Sequence, residues 1–286
     1  MRVRNLLISG ALLAGTLGWL SSYADEPKVT KPVYNIFSDE EEVTIGRNAA
    51  AQIEKKWPIL HDRLLQAYLD YVGQKVARES RRPQLEYHFK LVDTPTINAF
   101  ALPGGFIYVN RGLLAFVESE SELIAVLGHE VGHIVAYHGT NELSRRVLLE
   151  RIIKEGKKVG VLNDKEVKDI LKRLGGSIAL FVERKFSRDE EREADLLGLY
   201  NEVRSGWNPA GMINFFGRMK KFTGNPTLLQ VLLSTHPLPA ERVERARAEI
   251  AQLPPAPDLA DDSLMFKAAK ARMKFLPPPP KPAPKK

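Results

Sequence analysis

Gly128-His129-Glu130-Val131-Gly132-His133 is the stretch on which the reading of this chain turns. A step of four residues rotates an α-helix by about 400°, so His129 and His133 leave one face only about 40° apart and suit two imidazoles on one zinc ion. Glu130 follows the first histidine, where a carboxylate can take a proton from water and pass it to a leaving amine. The surrounding residues, Ser119 to Gly139, are apolar nearly all round, which predicts one buried helix with Ser119 and Glu122 as its capping box and Gly139 as its terminator. Two histidines and a glutamate are costly to bury there without partners.

A catalytic zinc site has three protein ligands and one open position, so a third ligand must be found. His138 lies nine positions past His129, about 180° round the helix, and is expected at the helix end or behind the ligands rather than on the ion. The sequence contains no cysteine, so the third ligand should be a carboxylate on another helix. The candidate segment is Ser187-Arg-Asp-Glu-Glu-Arg-Glu-Ala-Asp195, opened by a Ser187/Glu190 capping box, with Glu191 and Asp195 on one face. By spacing alone Glu191 and Glu193 both remain open as the ligand. Asp195 suits a second role, orienting a ligand histidine through its other ring nitrogen.

Working outward, Asn98-Ala-Phe-Ala-Leu-Pro-Gly-Gly105 precedes the histidine pair and Ser234-Thr-His-Pro237 follows the acidic segment. With His-Glu-Val-Gly-His and Glu191-Arg-Glu-Ala-Asp195, these motifs resemble, in order, the HtpX-like and CAAX prenyl protease family of gluzincin zinc metallopeptidases, and most closely its soluble periplasmic BepA-like branch. The resemblance runs from about Ser38 to Ile250. It implies His129, His133 and Glu191 as zinc ligands, Glu130 as general base and Asp195 behind them. It also implies a substrate-binding edge strand at Asn98, Ala99 and Phe100, and a His236-Pro237 element near the zinc. Arg242 is expected to stabilise an oxyanion, and His236 to occupy the open zinc position and hold the enzyme latent. Two features depart from the family: no membrane helices flank the core, which argues against a prenylated or membrane-embedded substrate, and a proline-rich tail stands where the BepA-like branch carries helical repeats.

The rest of the chain supplies the frame. Its 286 residues, 44% hydrophobic and 27% charged, exclude collagen-like, wholly disordered and multi-spanning classes. Arg2 and Arg4, the apolar run Leu6 to Leu20 and the small-x-small stretch Ser22-Tyr23-Ala24 predict a cleavable signal peptide over 1–24; the run would rise only about 22 Å as a helix. Removing Arg2 and Arg4 leaves 40 basic residues against 35 acidic, a net +5 too mild and too evenly spread to argue for nucleic acid. Ser38 and Glu41 open a helix ending near Trp57-Pro58, and Leu64, Leu65, Tyr68, Val72 and Val76 mark a second to about Ser80. Alternation over 85–92 and the run 106–109 predict two or three short strands, with further helices at 164–174, 187–205, 208–221 and 239–252. Nine of the 19 prolines fall between Pro254 and Pro284, so residues 254–286 read as a disordered basic tail, with a peripheral envelope contact as its sharper role.

The expectation is an α+β, predominantly helical zincin-type domain over 25–253 with a small β-sheet, periplasmic, hydrolysing peptide bonds in unfolded or misassembled envelope proteins. The rival is an envelope chaperone or assembly factor with incidental or latent proteolysis.

Overall fold

A computed structural model describes residues 29, 31–155, 165, 169, 179–182, 184–237, 240–253 and 258–280. The leader expected over 1–24, and most of the helix expected over 164–174, lie outside the described residues. Among those described, no helix is long and apolar enough to cross a membrane.

Helix α1 (Asp39–Lys56) opens on the Ser38/Glu41 capping box and stops at Trp57, before Pro58. Helix α2 (Arg63–Arg78) starts on the Asp62 carboxylate, which accepts from Leu65 N. It buries Leu65, Tyr68, Leu69, Val72 and Val76, whereas Leu64, expected on the same face, is 47% exposed. Strands β1 (His88–Val92), β2 (Ala99–Leu102) and β3 (Phe106–Asn110) form one sheet in the order β1-β3-β2, with β1 parallel and β2 antiparallel to the central β3. The turn between β2 and β3 requires glycine twice. Gly104 and Gly105 have φ of 73° and 97°, and a Cβ would lie 2.5 Å from Val43 Cα at the first and 2.3 Å from Glu86 O at the second.

The two edges of the sheet are finished differently. Along β1, Leu60 N donates to Leu91 O, the Gln66 amide donates to Phe89 O and accepts from Leu91 N, and Gln74 Nε2 donates to Tyr87 O. Ile59 adds an antiparallel bridge to Val92. No strand pairs with the outer side of β2 among the described residues.

After α3 (Arg111–Phe116) comes α4 (Glu120–Val135), buried at every position as its composition predicts. The chain does not continue as one helix to Gly139. Ala136 ends α4, Tyr137 takes a φ of 58°, and α5 (His138–Glu155) begins at once. The break comes from elsewhere in the chain: the Arg82 guanidinium lies 4.1 Å from the centre of the Tyr137 ring, donates to Ile134 O, and pairs with buried Glu42. Gly139 instead lets α5 approach Pro103, whose Cγ would lie 2.9 Å from a Cβ there.

Helices α6 (Ala179–Val182), α7 (Arg188–Arg204), α8 (Ala210–Lys221), α9 (Pro226–Thr235) and α10 (Ala240–Gln252) follow. Of these, α6 and α9 were not anticipated from sequence. Residues 258–280 include α11 (Leu264–Met273), which packs on the domain through Phe266 and Ala269 and so differs from the disorder expected there. Lys270 Nζ donates to the carbonyls of Leu114, Ala115 and Val117 at the end of α3, and Arg272 pairs with the α2 cap Asp62. Asp261 O and Asp262 Oδ1 accept from Ser121 N and Glu120 N, backbone donors at the start of α4. A proline-rich composition hid a short capped helix. The whole is the predominantly helical α+β domain with a small sheet that the sequence implied.

One buried group yields a pH prediction. Glu202 on α7 is fully buried, both carboxyl oxygens lack hydrogen-bond partners, and burial, with Asp261 adding repulsion, pushes its pKa well above the carboxylate range. A raised folded-state pKa adds stability below the ordinary glutamate range, and this is lost as pH rises through the folded value. Glu202→Gln should melt near the parent at pH 5 and above it at pH 8, by about 2–4 °C for each kcal/mol relieved. Thermal melts of both proteins at the two pH values check this.

Candidate metal centre

Helices α4 and α7 meet almost backbone to backbone. A Cβ on Gly128 would stand 2.8 Å from Gly198 O, one on Gly132 2.8 Å from Ala194 O, and one on Gly198 2.8 Å from His129 N. The approach brings Glu191, in the first turn of α7, against the histidine pair on α4. The Ser187/Glu190 capping box fixes where that first turn begins.

His129, His133, Glu191 and His236 each offer one donor atom, and these atoms lie within 4.8 Å of one another, all in buried residues. Glu191 Oε1 is 3.6 Å from His133 Nε2, and its Oε2 is 3.7 Å from His129 Nε2. His236, in the C-cap of α9, places Nδ1 2.8 Å from Glu191 Oε1 and 3.2 Å from His129 Nε2.

The donor chemistry fits a zinc ion. Asp195 Oδ1 lies 2.9 Å from His129 Nδ1 and accepts its proton, which leaves a bare lone pair on Nε2. That atom faces His133 Nε2 at 3.0 Å, and two imidazole lone pairs at this range need a proton or a cation between them. Imidazoles with one carboxylate, and no thiolate, form a set that zinc takes readily.

Several groups steer the charges. Burial opposes charging His129, but the Asp195 hydrogen bond and nearby Glu191 outweigh it and raise its pKa; burial and the neighbouring His129 hold His133 well below the usual imidazole range. Glu191, despite burial, is held far below the carboxylate range by His236 and His129. Glu130 is raised by burial, although His236 and His129, and to a lesser degree the backbone of Ala101 on β2, draw it back, and its Oε2 has no hydrogen-bond partner.

Of the residues expected at the site, His129, His133, Glu191, Glu130, Asp195, His236 and Arg242 are brought together. Glu193, the competing ligand, points instead to His138, 3.2 Å from its Nε2. Arg242 differs from expectation. Its Nε and Nη2 donate to Asp195, and Nη1 donates to Pro237 O while lying 2.5 Å from Glu191 Oε2. The guanidinium is thus committed to positioning two carboxylates rather than left free for an oxyanion.

Asn98, Ala99 and Phe100 also differ: their side chains are buried, with Phe100 stacked on Tyr108 at 5.1 Å. The strand is covered as a whole, with Ala99 fully buried and α4 and α6 packed against it, so what its outer edge offers is the direction of its backbone groups. Asn110 N donates to Asn98 O, and counting along the register leaves the N–H and C=O groups of Ala99 and Ala101 facing the unpaired edge, on the Glu130 side. Sequence reasoning missed Phe186, which stacks on His133 with ring centres 3.8 Å apart and on His236 at 5.0 Å; no motif marks it. Beside the centre, a cavity of about 560 Å³ reaches Glu191, Asp195 and Arg242 between apolar walls that include Leu196, Leu233 and Ala246.

Comparison with known proteins adds to this geometry. The model of peptidase family M48 matches residues 63–250, more than half of the chain. The beta-barrel assembly-enhancing protease of Yersinia pestis is 27% identical over 277 residues, 95% of this chain and 56% of the relative. Its counterpart in Escherichia coli strain K12 is 25% identical over 281 residues, again 95% of this chain and 57% of the relative. The mitochondrial metalloendopeptidase OMA1 of Arabidopsis thaliana is 30% identical over 188 residues, 64% of this chain and 36% of the relative. The chain spans about half the length of the bacterial relatives it matches.

The close helix contact is open to test. Gly198→Ala drives a methyl against His129 N, so α7 must shift away from α4 and carry Glu191 with it. The variant should lose about 1–3 kcal/mol of stability and bind zinc at least about tenfold more weakly, read by denaturant melts and chelator competition.

Proposed function

Because the chain belongs to peptidase family M48, we propose that it is a zinc-dependent endopeptidase of the cell envelope that hydrolyses peptide bonds in unfolded or misassembled proteins. The observation that carries the reading is the buried His129, His133 and Glu191 donor group set beside Glu130, whose Oε2 has no partner. A structural metal site has no use for such a carboxylate.

His129, His133 and Glu191 would hold a zinc ion, which would supply Lewis acidity toward the scissile carbonyl and toward water. The chain's own residues do the rest. Glu130, its pKa raised by burial, takes a proton from the attacking water at a carboxylate oxygen and returns it to the departing amine. Asp195 keeps His129 in the tautomer that leaves Nε2 bare, and Arg242 fixes Asp195 and Glu191 in place. The backbone groups of Ala99 and Ala101 that turn away from β3 would pair with a substrate lying as an added strand once α6 moves off β2 and the Ala101 N–H leaves Glu130, which selects extended chain over folded protein.

The names of the bacterial relatives support a role in envelope protein assembly and quality control, and the Arg2 to Ala24 pattern supports export to the periplasm. The Lys-rich end of the chain is the part suited to contact with an anionic envelope surface. One observation favours a second reading, a latent enzyme that also serves as chaperone or assembly factor: His236 joins the donor group as a fourth member, and as a fourth ligand it would leave no position open for substrate and water.

Purified protein should cleave an unfolded generic substrate, and both Glu130→Gln and a chelator should abolish this, the substitution by at least about 100-fold. Equal cleavage by Glu130→Gln overturns the mechanism. His236→Ala should turn over several-fold faster than the parent if the resting state is latent, and no faster if it is not.

A further inference from the structure

The geometry points to a hydrogen-bonded relay, Glu193–His138–His133, that fixes the tautomer of one metal ligand and so sets how tightly zinc is held. The inference rests on the reading of the centre as a zinc site, and not on what the enzyme cuts.

The two ligand histidines on α4 are supported differently. His129 Nδ1 meets a carboxylate directly, at Asp195. His133 Nδ1 meets another imidazole, His138 Nδ1, at 2.7 Å, and His138 Nε2 lies 3.2 Å from Glu193 Oε2. His138 is only 2% exposed, while Glu193 reaches the surface. Arg184 donates to the His138 carbonyl, and the Phe186 ring covers His133.

Each proton in this row is determined by the next group. The Glu193 carboxylate can only accept, so His138 Nε2 carries a proton. His138 in its neutral form then has a bare Nδ1, which can only accept. His133 Nδ1 must therefore donate, and the lone pair of His133 is left on Nε2, facing Glu191 and His129. Reversing any link would put a proton on the atom that must bind the metal.

The relay depends on the break between α4 and α5. Along an unbroken helix, residues five apart stand about 140° from each other and could not touch. The positive φ of Tyr137 turns the chain so that His138, five residues past His133, swings back onto its ring. Glu191, Glu193 and Asp195 thus divide the work within one helix: one carboxylate in the donor group, one orienting His129, and one orienting His133 through His138.

The test uses the full chain loaded with zinc and labelled with ¹⁵N histidine. A scalar coupling across the hydrogen bond between His133 Nδ1 and His138 Nδ1, with His138 protonated on Nε2, is expected. His138→Phe removes the acceptor and should weaken zinc binding by about 10–100-fold in chelator competition, and His138→Asn, whose Oδ1 stands near the lost Nδ1, should recover most of it. Glu193→Ala, a surface change that leaves the core intact, should weaken zinc severalfold and mix the His138 tautomers, whereas Glu193→Gln keeps an acceptor and should do neither. A His138 protonated on Nδ1 in the wild type, or unchanged zinc affinity in both His138→Phe and Glu193→Ala, would overturn the relay. If wild type binds zinc with the expected coupling but cuts no substrate, the peptidase reading fails while the relay stands.

Discussion

Everything at the centre depends on how closely α4 and α7 approach. Glycine or alanine at 128, 132, 194 and 198 removes the side chains that would hold two helices apart, and the facing backbones come into contact. Without that contact, Glu191 and the two histidines would be separated by an ordinary layer of side chains. The same approach places Asp195 and Glu193 where they meet His129 and, through His138, His133. A local sterical choice at four positions therefore assembles a site from residues more than 50 positions apart in the chain.

Such a site gathers buried ionisable groups, and the fold answers several of them with a charged partner. Arg242 faces Asp195 and Glu191, Arg184 faces Glu190, and Arg82 faces Glu42 at the break that turns His138 inward. These buried pairs are weak contributors to net stability, but removing one member leaves an uncompensated charge, so they act as constraints on geometry. The clasp formed by Asp261, Asp262, Lys270 and Arg272 does the same for the backbone, meeting donors at the start of α4 and carbonyls at the end of α3. The buried helix that carries the histidines is held at its entry by chain from well over 100 residues downstream.

What the sequence could reveal follows from this division. The histidine pair with Glu130, and the capping boxes at Ser38 and Ser187, are local patterns of side chain against neighbouring backbone, and they stand where the spacing put them. The choice between Glu191 and Glu193 was open by spacing, because both lie on α7 within reach of α4, and the packing assigns them different partners. The end of α4 was not legible, because the positive φ at Tyr137 is imposed by Arg82, 55 residues upstream. Arg242 was expected as a free donor since its partners are set by α10 against α7, which no local pattern encodes. For Asn98 to Phe100 the strand was readable but its orientation was not, because which groups face outward depends on pairing with β3.

The treatment of the sheet edges has a consequence for traffic at this surface. The Gln66 and Gln74 amides imitate a neighbouring strand along β1 and leave it little to offer a passing chain. A sheet edge left bare runs the risk of being templated by stray extended chains or by further copies of the same protein. Among the described residues, one border is closed by side-chain amides and the other lies under α6, so neither is left as a bare template.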